Sequence, residues 1–237
     1  MSKFGLIGFP ISHSLSPMLF EAAFEGRYPY SLLEFEDFEM AWKEFGHKDF
    51  KAVNVTSPFK AEACRRADIL SRECLLTGAA NILVKTPGGI AAFNSDCLAV
   101  KNIISRLPGC RTAAVIGTGG AGKAALLAAS ECGLRTESFR HDEISDGVSA
   151  DLVIYTLPRF VPGADKLECG SLLEANYKDP CLSGHPGYIS GLQWLYEQAV
   201  CGYPLMTGEE IDGEKIWDLI LKKIPLRVGP SLEPVLK

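Results

Sequence analysis

The stretch "RTAAVIGTGGAGKAALLAASECG", Arg111 to Gly133, decides the fold. An apolar run, Ala113 to Ile116, ends in Gly117. Gly117, Gly119 and Gly122 then keep the spacing G-x-G-x-x-G ahead of a segment rich in alanine and leucine. A short apolar strand, such glycines and then a helix make the opening of a dinucleotide-binding βα unit. The glycines allow a tight turn and a close approach to a pyrophosphate at the helix N-terminus, where unpaired N–H groups favour negative charge. The same letters also read G-x-x-x-x-G-K, the start of a triphosphate-binding loop. That loop needs Ser or Thr after the lysine to hold Mg²⁺, and Ala124 stands there. The dinucleotide reading therefore leads, and a tight βα turn that binds nothing is its plain alternative.

Working outward, strand and helix signals alternate on both sides. Downstream, "RTESFR" and "DLVIYTL" read as strands, and a helical region starts at Gly191. Upstream, "KFGLIG", "SPMLFEAAFEG", "YSLLEFE", "EMAWKEFG" and "KAVNVTSP" read as βαβαβ. They are followed by a helix "KAEACRRADILS", two strands about the turn Thr86 to Gly89, and a helix "CLAVKNIISRL". The expected fold is α/β: an N-terminal α/β substrate domain plus a Rossmann-type dinucleotide-binding domain, shortened in one crossover. The expected division is residues 1–98 for the first domain and 99–190 for the second. The C-terminal helices, 191–237, are expected to pack back on the first.

Composition limits the partners. The 237 residues are 47% hydrophobic with a net charge of -5, enough for one large core or two modest domains and the wrong sign for nucleic acid or an anionic membrane as the main partner. The 8 cysteines are scattered and the 4 histidines lack metal-ligand spacing, which points to buried thiols in a reducing compartment and to no metal. The apolar run near the start is cut at Gly8 and Pro10, too short for a signal segment, so the expected location is cytoplasmic.

Three upstream stretches carry candidate chemistry. In "GFPISHSLSP" the first strand ends and Ser12, Ser14 and Ser16 alternate, so an extended loop would aim their hydroxyls one way. An ordinary turn with Ser16 as N-cap and Pro17 opening the helix also fits. In "VNVTSPFK" a half-buried strand stops at Pro58 with Lys60 just beyond, either a proton donor or a surface lysine. In "FNSDCLA" Asp96 follows a strand, either as a helix cap or as a partner for Lys60.

Taken together, "GLIGFPISHSLSP", "NVTSPFK", "GAAN", "FNSD", "GTGGAGKAA" and "GLQWLYEQA...MTG" occur in the order and approximate spacing of shikimate dehydrogenases, which the chain resembles over almost its whole length. The resemblance implies NADP-dependent reduction of 3-dehydroshikimate to shikimate, between a substrate domain and a cofactor domain. It implies Lys60 and Asp96 as the catalytic pair, Ser14 and Ser16 on the substrate carboxylate, and Thr56, Asn81, Tyr177 and Gln198 around the ring. It puts Gly117, Gly119, Gly120, Ala121, Arg140 and Gly191 at the cofactor. Its implied partner is a small-molecule substrate, with the protein a monomer or homodimer. Taken alone, Gln198 reads as a solvated helix residue and Tyr177 as a packing residue.

The chain departs from the family pattern in four places. Leu19 and Phe20 replace a His-Asn pair, and "FRHDE" keeps only Arg140 of an Asn-Arg-Thr run. Too few residues separate Arg140 from Asp151 for the usual extra helix, and "YTLPRFVPG" replaces an Asn-Ala-Thr start. A quinate-type dehydrogenase and a shikimate-binding regulatory protein with little turnover are the alternatives.

Overall fold

Alternating apolar side chains and Gly, Ser and Pro punctuation set the elements. A computed structural model describes residues 2–47 and 49–223. In chain order they are β1 (Lys3–Gly8), α1 (Ser16–Phe24), β2 (Tyr30–Glu34), α2 (Phe38–His47), β3 (Phe50–Val55), α3 (Lys60–Arg66), β4 (Ile69–Leu70) and α4 (Arg72–Thr77). Then come β5 (Ile82–Thr86), β6 (Gly89–Phe93), α5 (Ser95–Ile104), β7 (Thr112–Ile116), α6 (Gly120–Glu131), β8 (Arg135–Phe139) and β9 (Val148–Tyr155). A 3₁₀ turn (Ala164–Lys166), β10 (Leu167–Glu174), β11 (Tyr188–Ile189), α7 (Gly191–Thr207) and α8 (Gly213–Lys223) complete the order. The described backbone forms two units, one of residues in 2–95 with 198–223 and one of residues 96–197. The boundaries run through the first turn of α5 and the middle of α7. The expectation placed on residues 224–237 lies outside the described residues.

Unit 1 is a six-stranded sheet in the order β2-β1-β3-β5-β6-β4. β1 runs parallel to β2 and β3, while β5 is antiparallel to both β3 and β6. The helix expected over "KAEACRRADILS" stops at Arg66, because Ile69 and Leu70 pair with Ala91 and Ala92 as an edge strand. Ser71 then caps α4 by accepting the Cys74 N–H at 3.3 Å. Leu19 and Phe20 are fully buried. The Phe20 ring lies 5.0 Å from Phe4, 4.6 Å from Phe24, 4.7 Å from Tyr30 and 5.0 Å from Tyr203 of α7. The departure at Leu19 and Phe20 is thus a core element, and such ring pairs add to the burial of their area.

Unit 2 is an all-parallel sheet in the order β11-β10-β9-β7-β8. β10 and β11 were not foreseen in the sequence. Alternation sends Ala113, Val115, Leu152, Ile154 and Leu173 to a face covered by α5, α6 and Trp194 of α7. Ala114, Ile116, Val153, Tyr155 and Leu172 go to the other face. The shortening expected after Arg140 is there: β8 passes to β9 through a loop, residues 140–147. It goes further, since β9 reaches β10 with only the 3₁₀ turn, and β10 reaches β11 by a loop. Ile144, Val161 and Leu182 from these connections, with Ala164 of the 3₁₀ turn, seal the second face in place of helices.

The turn from β7 to α6 depends on glycine. Gly117 has φ +106°, and a Cβ there would stand 2.3 Å from Thr156 Oγ1. At Gly122 a Cβ would stand 1.8 Å from the Gly117 carbonyl oxygen, whereas at Gly119 it would meet nothing within 4 Å. Gly122→Ala should therefore force α6 off the strand and cost about 1–3 kcal/mol, read as a lower midpoint of thermal unfolding. Gly119→Ala should leave that midpoint near the wild-type value.

Candidate active site

In unit 1 the strand ends are tied to one another by backbone hydrogen bonds. Thr56 N–H donates to Ile7 O at 2.8 Å, Val55 N–H to Asn81 O at 2.8 Å, and Asn81 N–H to Phe93 O at 3.0 Å. The carboxyl ends of β1, β3 and β6 and the start of β5 therefore share one edge, the usual place for a ligand site in an α/β fold. Asn81 is buried there. Its Oδ1 accepts the Ser95 N–H at 2.8 Å, and its Nδ2 donates to Ser95 Oγ at 3.0 Å and to Gln198 Oε1 at 3.4 Å. Lys60 opens α3, and its carbonyl accepts the Ala80 N–H at 2.8 Å, which fixes the helix start against the residue before Asn81.

The serine loop behaves differently from an extended segment. Ser14 N–H donates to Ile11 O at 2.9 Å, closing a turn that leaves Ser12 exposed and out of line. Ser14 and Ser16 do converge: Ser14 Oγ–H donates to Ser16 Oγ at 3.1 Å, and Ser16 N–H to Ser14 Oγ at 3.2 Å. Ser16 is the first residue of α1 rather than its cap, which is Leu15 with no side-chain cap bond. The loop is held to β2 by Ile11 N–H donating to Glu34 Oε1 at 2.9 Å. Nearby, desolvation holds the Tyr30 phenol well above its usual pKa, with Tyr203 adding to the rise and a Ser16 hydrogen bond opposing it. The neutral phenol donates to the buried Asn54 Oδ1 at 2.8 Å.

Unit 2 holds the remaining candidates. Asp96 lies in the first turn of α5, which begins one residue earlier at Ser95, so Asp96 is not the cap. Both Asp96 and Trp194 are 5% exposed, and the Trp194 Nε1–H donates to Asp96 Oδ1 at 3.0 Å. Gly117, Gly119, Gly120 and Ala121 form the bend and first turn between β7 and α6, whose N-cap is Gly119. Arg140 follows β8, exposed, and its Nε and Nη2 donate to Asp142 Oδ1 and Oδ2 at 3.1 and 2.7 Å. The Arg140 N–H donates to Glu143 Oε2 at 2.7 Å. The hydrogen bond and charge of Arg140 hold the Asp142 carboxyl below its usual pKa.

Tyr177 is half-buried in the loop after β10. That loop is fixed by the fully buried Glu174, whose carboxylate accepts the N–H groups of Cys181 at 2.8 Å and Leu182 at 3.1 Å. Gly191 opens α7, where a Cβ would stand 2.5 Å from Ala175 O.

Unit 1 thus joins Ser14 to Ser16 and Asn81 to Gln198, and gives Thr56 and Lys60 positions at the same strand-end edge. Gln198 is half-buried and bonded, not a solvated helix residue. Sequence reasoning passed over Ser95, Tyr30 and Trp194. Ser95 stood inside the quoted "FNSD", and a serine between an asparagine and an acid at a strand end is a signal for a local hydrogen-bond hub.

Residues 6–83 match the shikimate dehydrogenase substrate binding domain. A shikimate dehydrogenase (NADP(+)) of Thermus thermophilus is 33% identical over 141 residues, 56% of this chain and 53% of that protein. One of Dinoroseobacter shibae is 37% identical over 140 residues, 54% of this chain and 50% of that protein. The chain thus spans about half the length of these curated relatives. The shikimate dehydrogenase (NADP(+)) of an Anaeromyxobacter species is 28% identical over 218 residues, 84% of this chain and 77% of that protein. Among solved structures, Mycobacterium tuberculosis shikimate dehydrogenase is 26% identical with a TM-score of 0.74, covering 92% of this chain and 98% of that one. Residues 6–83 are thus similar to the substrate binding domain of shikimate dehydrogenases, and the fold is similar to that of a solved shikimate dehydrogenase along nearly the full length of the chain.

Proposed function

We propose that the protein is a shikimate dehydrogenase that interconverts 3-dehydroshikimate and shikimate with NADP(H), a step of aromatic amino acid biosynthesis. The observation that carries this reading is the buried Asn81 carboxamide, bonded to Ser95 and Gln198 at the edge that also carries Thr56 and Lys60. It lies in the segment matched to the substrate binding domain. The relatives named above as NADP(+)-dependent support the choice of cofactor.

The chemistry of the lining suits a small polyhydroxylated acid. Ser14 and Ser16 offer hydroxyl donors to a carboxylate, while Thr56, Asn81, Gln198 and Tyr177 offer partners to ring hydroxyls. An analogue lacking a hydroxyl would leave a buried partner unpaired, and such sites discriminate strongly. Lys60 donates the proton and positive charge needed where negative charge develops on the carbonyl oxygen, so its interaction is stronger in the transition state than in the ground state. Asp96 accepts from the substrate hydroxyl and orients it.

The cofactor, when bound, supplies the hydride. The glycine turn fits it: a Cβ at Gly119 would meet nothing within 4 Å, which leaves room beside this residue at the N-terminus of α6, where a pyrophosphate is favoured. Gly117, Gly119, Gly120 and Ala121 would hold that group, Arg140 the ribose phosphate, and Gly191 the nicotinamide side. One observation favours the alternative of a shikimate-binding protein with little turnover, namely that the Arg140 fork is already taken up by Asp142. Following NADPH oxidation with 3-dehydroshikimate decides between them: turnover faster than with 3-dehydroquinate supports the dehydrogenase, and shikimate binding without turnover supports the binding protein.

Lys60→Ala should lower kcat by about 10² to 10⁴, the worth of general acid catalysis, with a much smaller change in KM. Ser14→Ala and Ser16→Ala should mostly raise KM, because a carboxylate is held equally before and during reaction. Steady-state kinetics of the three variants check this split, and a Lys60→Ala enzyme with near-normal kcat removes the role.

The cofactor preference should be for NADPH but weak, because Asp142 competes with a phosphate for the guanidinium. Arg140→Leu should raise KM for NADPH roughly tenfold, the loss of one charge-assisted contact, and leave that for NADH nearly unchanged. Asp142→Asn should lower KM for NADPH. Equal losses with both cofactors in Arg140→Leu, or a wild-type preference for NADH, would count against the assignment.

A further inference from the structure

We infer that Trp194 is a positioning residue for the reaction, holding the Asp96 carboxylate in its working orientation through the indole N–H. The inference rests on the reading of Asp96 given above. Trp194 lies in the first turn of α7 and Asp96 in the first turn of α5, both within unit 2. The indole packs in the hydrophobic cluster that contains Ala99, Val100 and Ile103 of α5, and Leu173 and Ile189 of the sheet. An indole has a single polar hydrogen, and Trp194 directs it to Asp96 Oδ1 at 3.0 Å.

Two features make the contact more than packing. Both partners are nearly excluded from water, so the hydrogen bond to a charged acceptor is strong and its loss leaves a buried oxygen without that donor. The donor is also rigid: a ring locked among core side chains cannot follow a carboxylate that rotates, so it selects one carboxylate rotamer. A methionine or leucine would fill the same apolar slot without a donor. An aspartate that only stabilised the fold would gain nothing in turnover from this choice, whereas one that orients a reacting hydroxyl depends on it.

The test compares wild type, Trp194→Phe, Asp96→Ala and the double variant in NADPH-coupled turnover of 3-dehydroshikimate, with shikimate affinity measured by calorimetry. Trp194→Phe keeps an aromatic ring and removes the N–H. It should lower kcat roughly 10- to 100-fold, the range for one charge-assisted hydrogen bond, while KM and shikimate affinity change less than about threefold. The same substitution should have no further effect in the Asp96→Ala background. A kcat within about twofold of wild type, an equal loss in the Asp96→Ala background, or a loss carried by KM alone overturns the inference. A wild type without turnover overturns the functional reading and this inference with it, whereas an active wild type with an unaffected Trp194→Phe overturns only the inference. A second measurement does not need that variant to fold. In ¹⁵N-tryptophan-labelled protein the Trp194 indole N–H resonance should shift and exchange faster with solvent in Asp96→Ala, and an unchanged resonance overturns the contact.

Discussion

A single buried residue, Asn81, ties the strand ends of unit 1 through its backbone and the helices beside them through its carboxamide. Its backbone joins β3 to the end of β6, and its side chain satisfies the Ser95 N–H and hydroxyl and reaches Gln198. Those groups are too buried to be satisfied by bulk water, so leaving one unpaired costs about 1–3 kcal/mol. The start of α5 and the middle of α7 are therefore fixed by the same residue. On the unit 2 side α5 and α7 are tied again, by Asn102 Nδ2 to Glu197 Oε2 at 3.0 Å and Arg106 Nη1 to Glu197 Oε1 at 2.5 Å. Within unit 1, Thr56 and Lys60 adjoin the segment of Asn81 through the bonds of Val55 N–H to Asn81 O and of Ala80 N–H to Lys60 O, which gives the rigidity that positioning requires.

Much of the fold was legible because its signals are local. The glycine turn after Ile116 needs only a strand, a spacing and a helix, and the period-2 and period-3.6 patterns gave most elements. What escaped is what distant residues decide. β10, "LECGSLLE", carries Glu168, Cys169, Gly170 and Ser171 and ends on Glu174, a poor strand by propensity. It is a strand because β9 and β11 pair with it on both edges and backbone N–H groups from the following loop satisfy Glu174. β4 was hidden in a helical pattern because its two residues acquire meaning only from β6.

The site was less legible for the same reason. Hydroxyls and amides have many bland uses, and the partners that distinguish those uses lie far along the chain: Asn81 and Gln198 are 117 residues apart, Asp96 and Trp194 are 98. Only the resemblance gave Ser14, Ser16, Thr56, Asn81, Tyr177 and Gln198 a common purpose. The alternation of Ser12, Ser14 and Ser16 misled in part, because a turn at Ile11 to Ser14 breaks the extended geometry on which it depended.

The loop-sealed face of unit 2 has a consequence for its internal motions. A helix laid across a sheet is a cooperative piece, and lifting it breaks many contacts together. Here Ile144, Val161 and Leu182 each reach the sheet from a separate connection. The connections are held to one another by hydrogen bonds such as Lys166 Nζ to Ser145 O at 2.8 Å and Asn176 Nδ2 to Pro158 O at 3.2 Å, whereas the opposite face is covered by α5, α6 and α7. Native-state hydrogen exchange in such a sheet divides unequally. Amides of the connections exchange through small fluctuations, while those of β7, at the centre of the sheet, wait for the helical side to come apart.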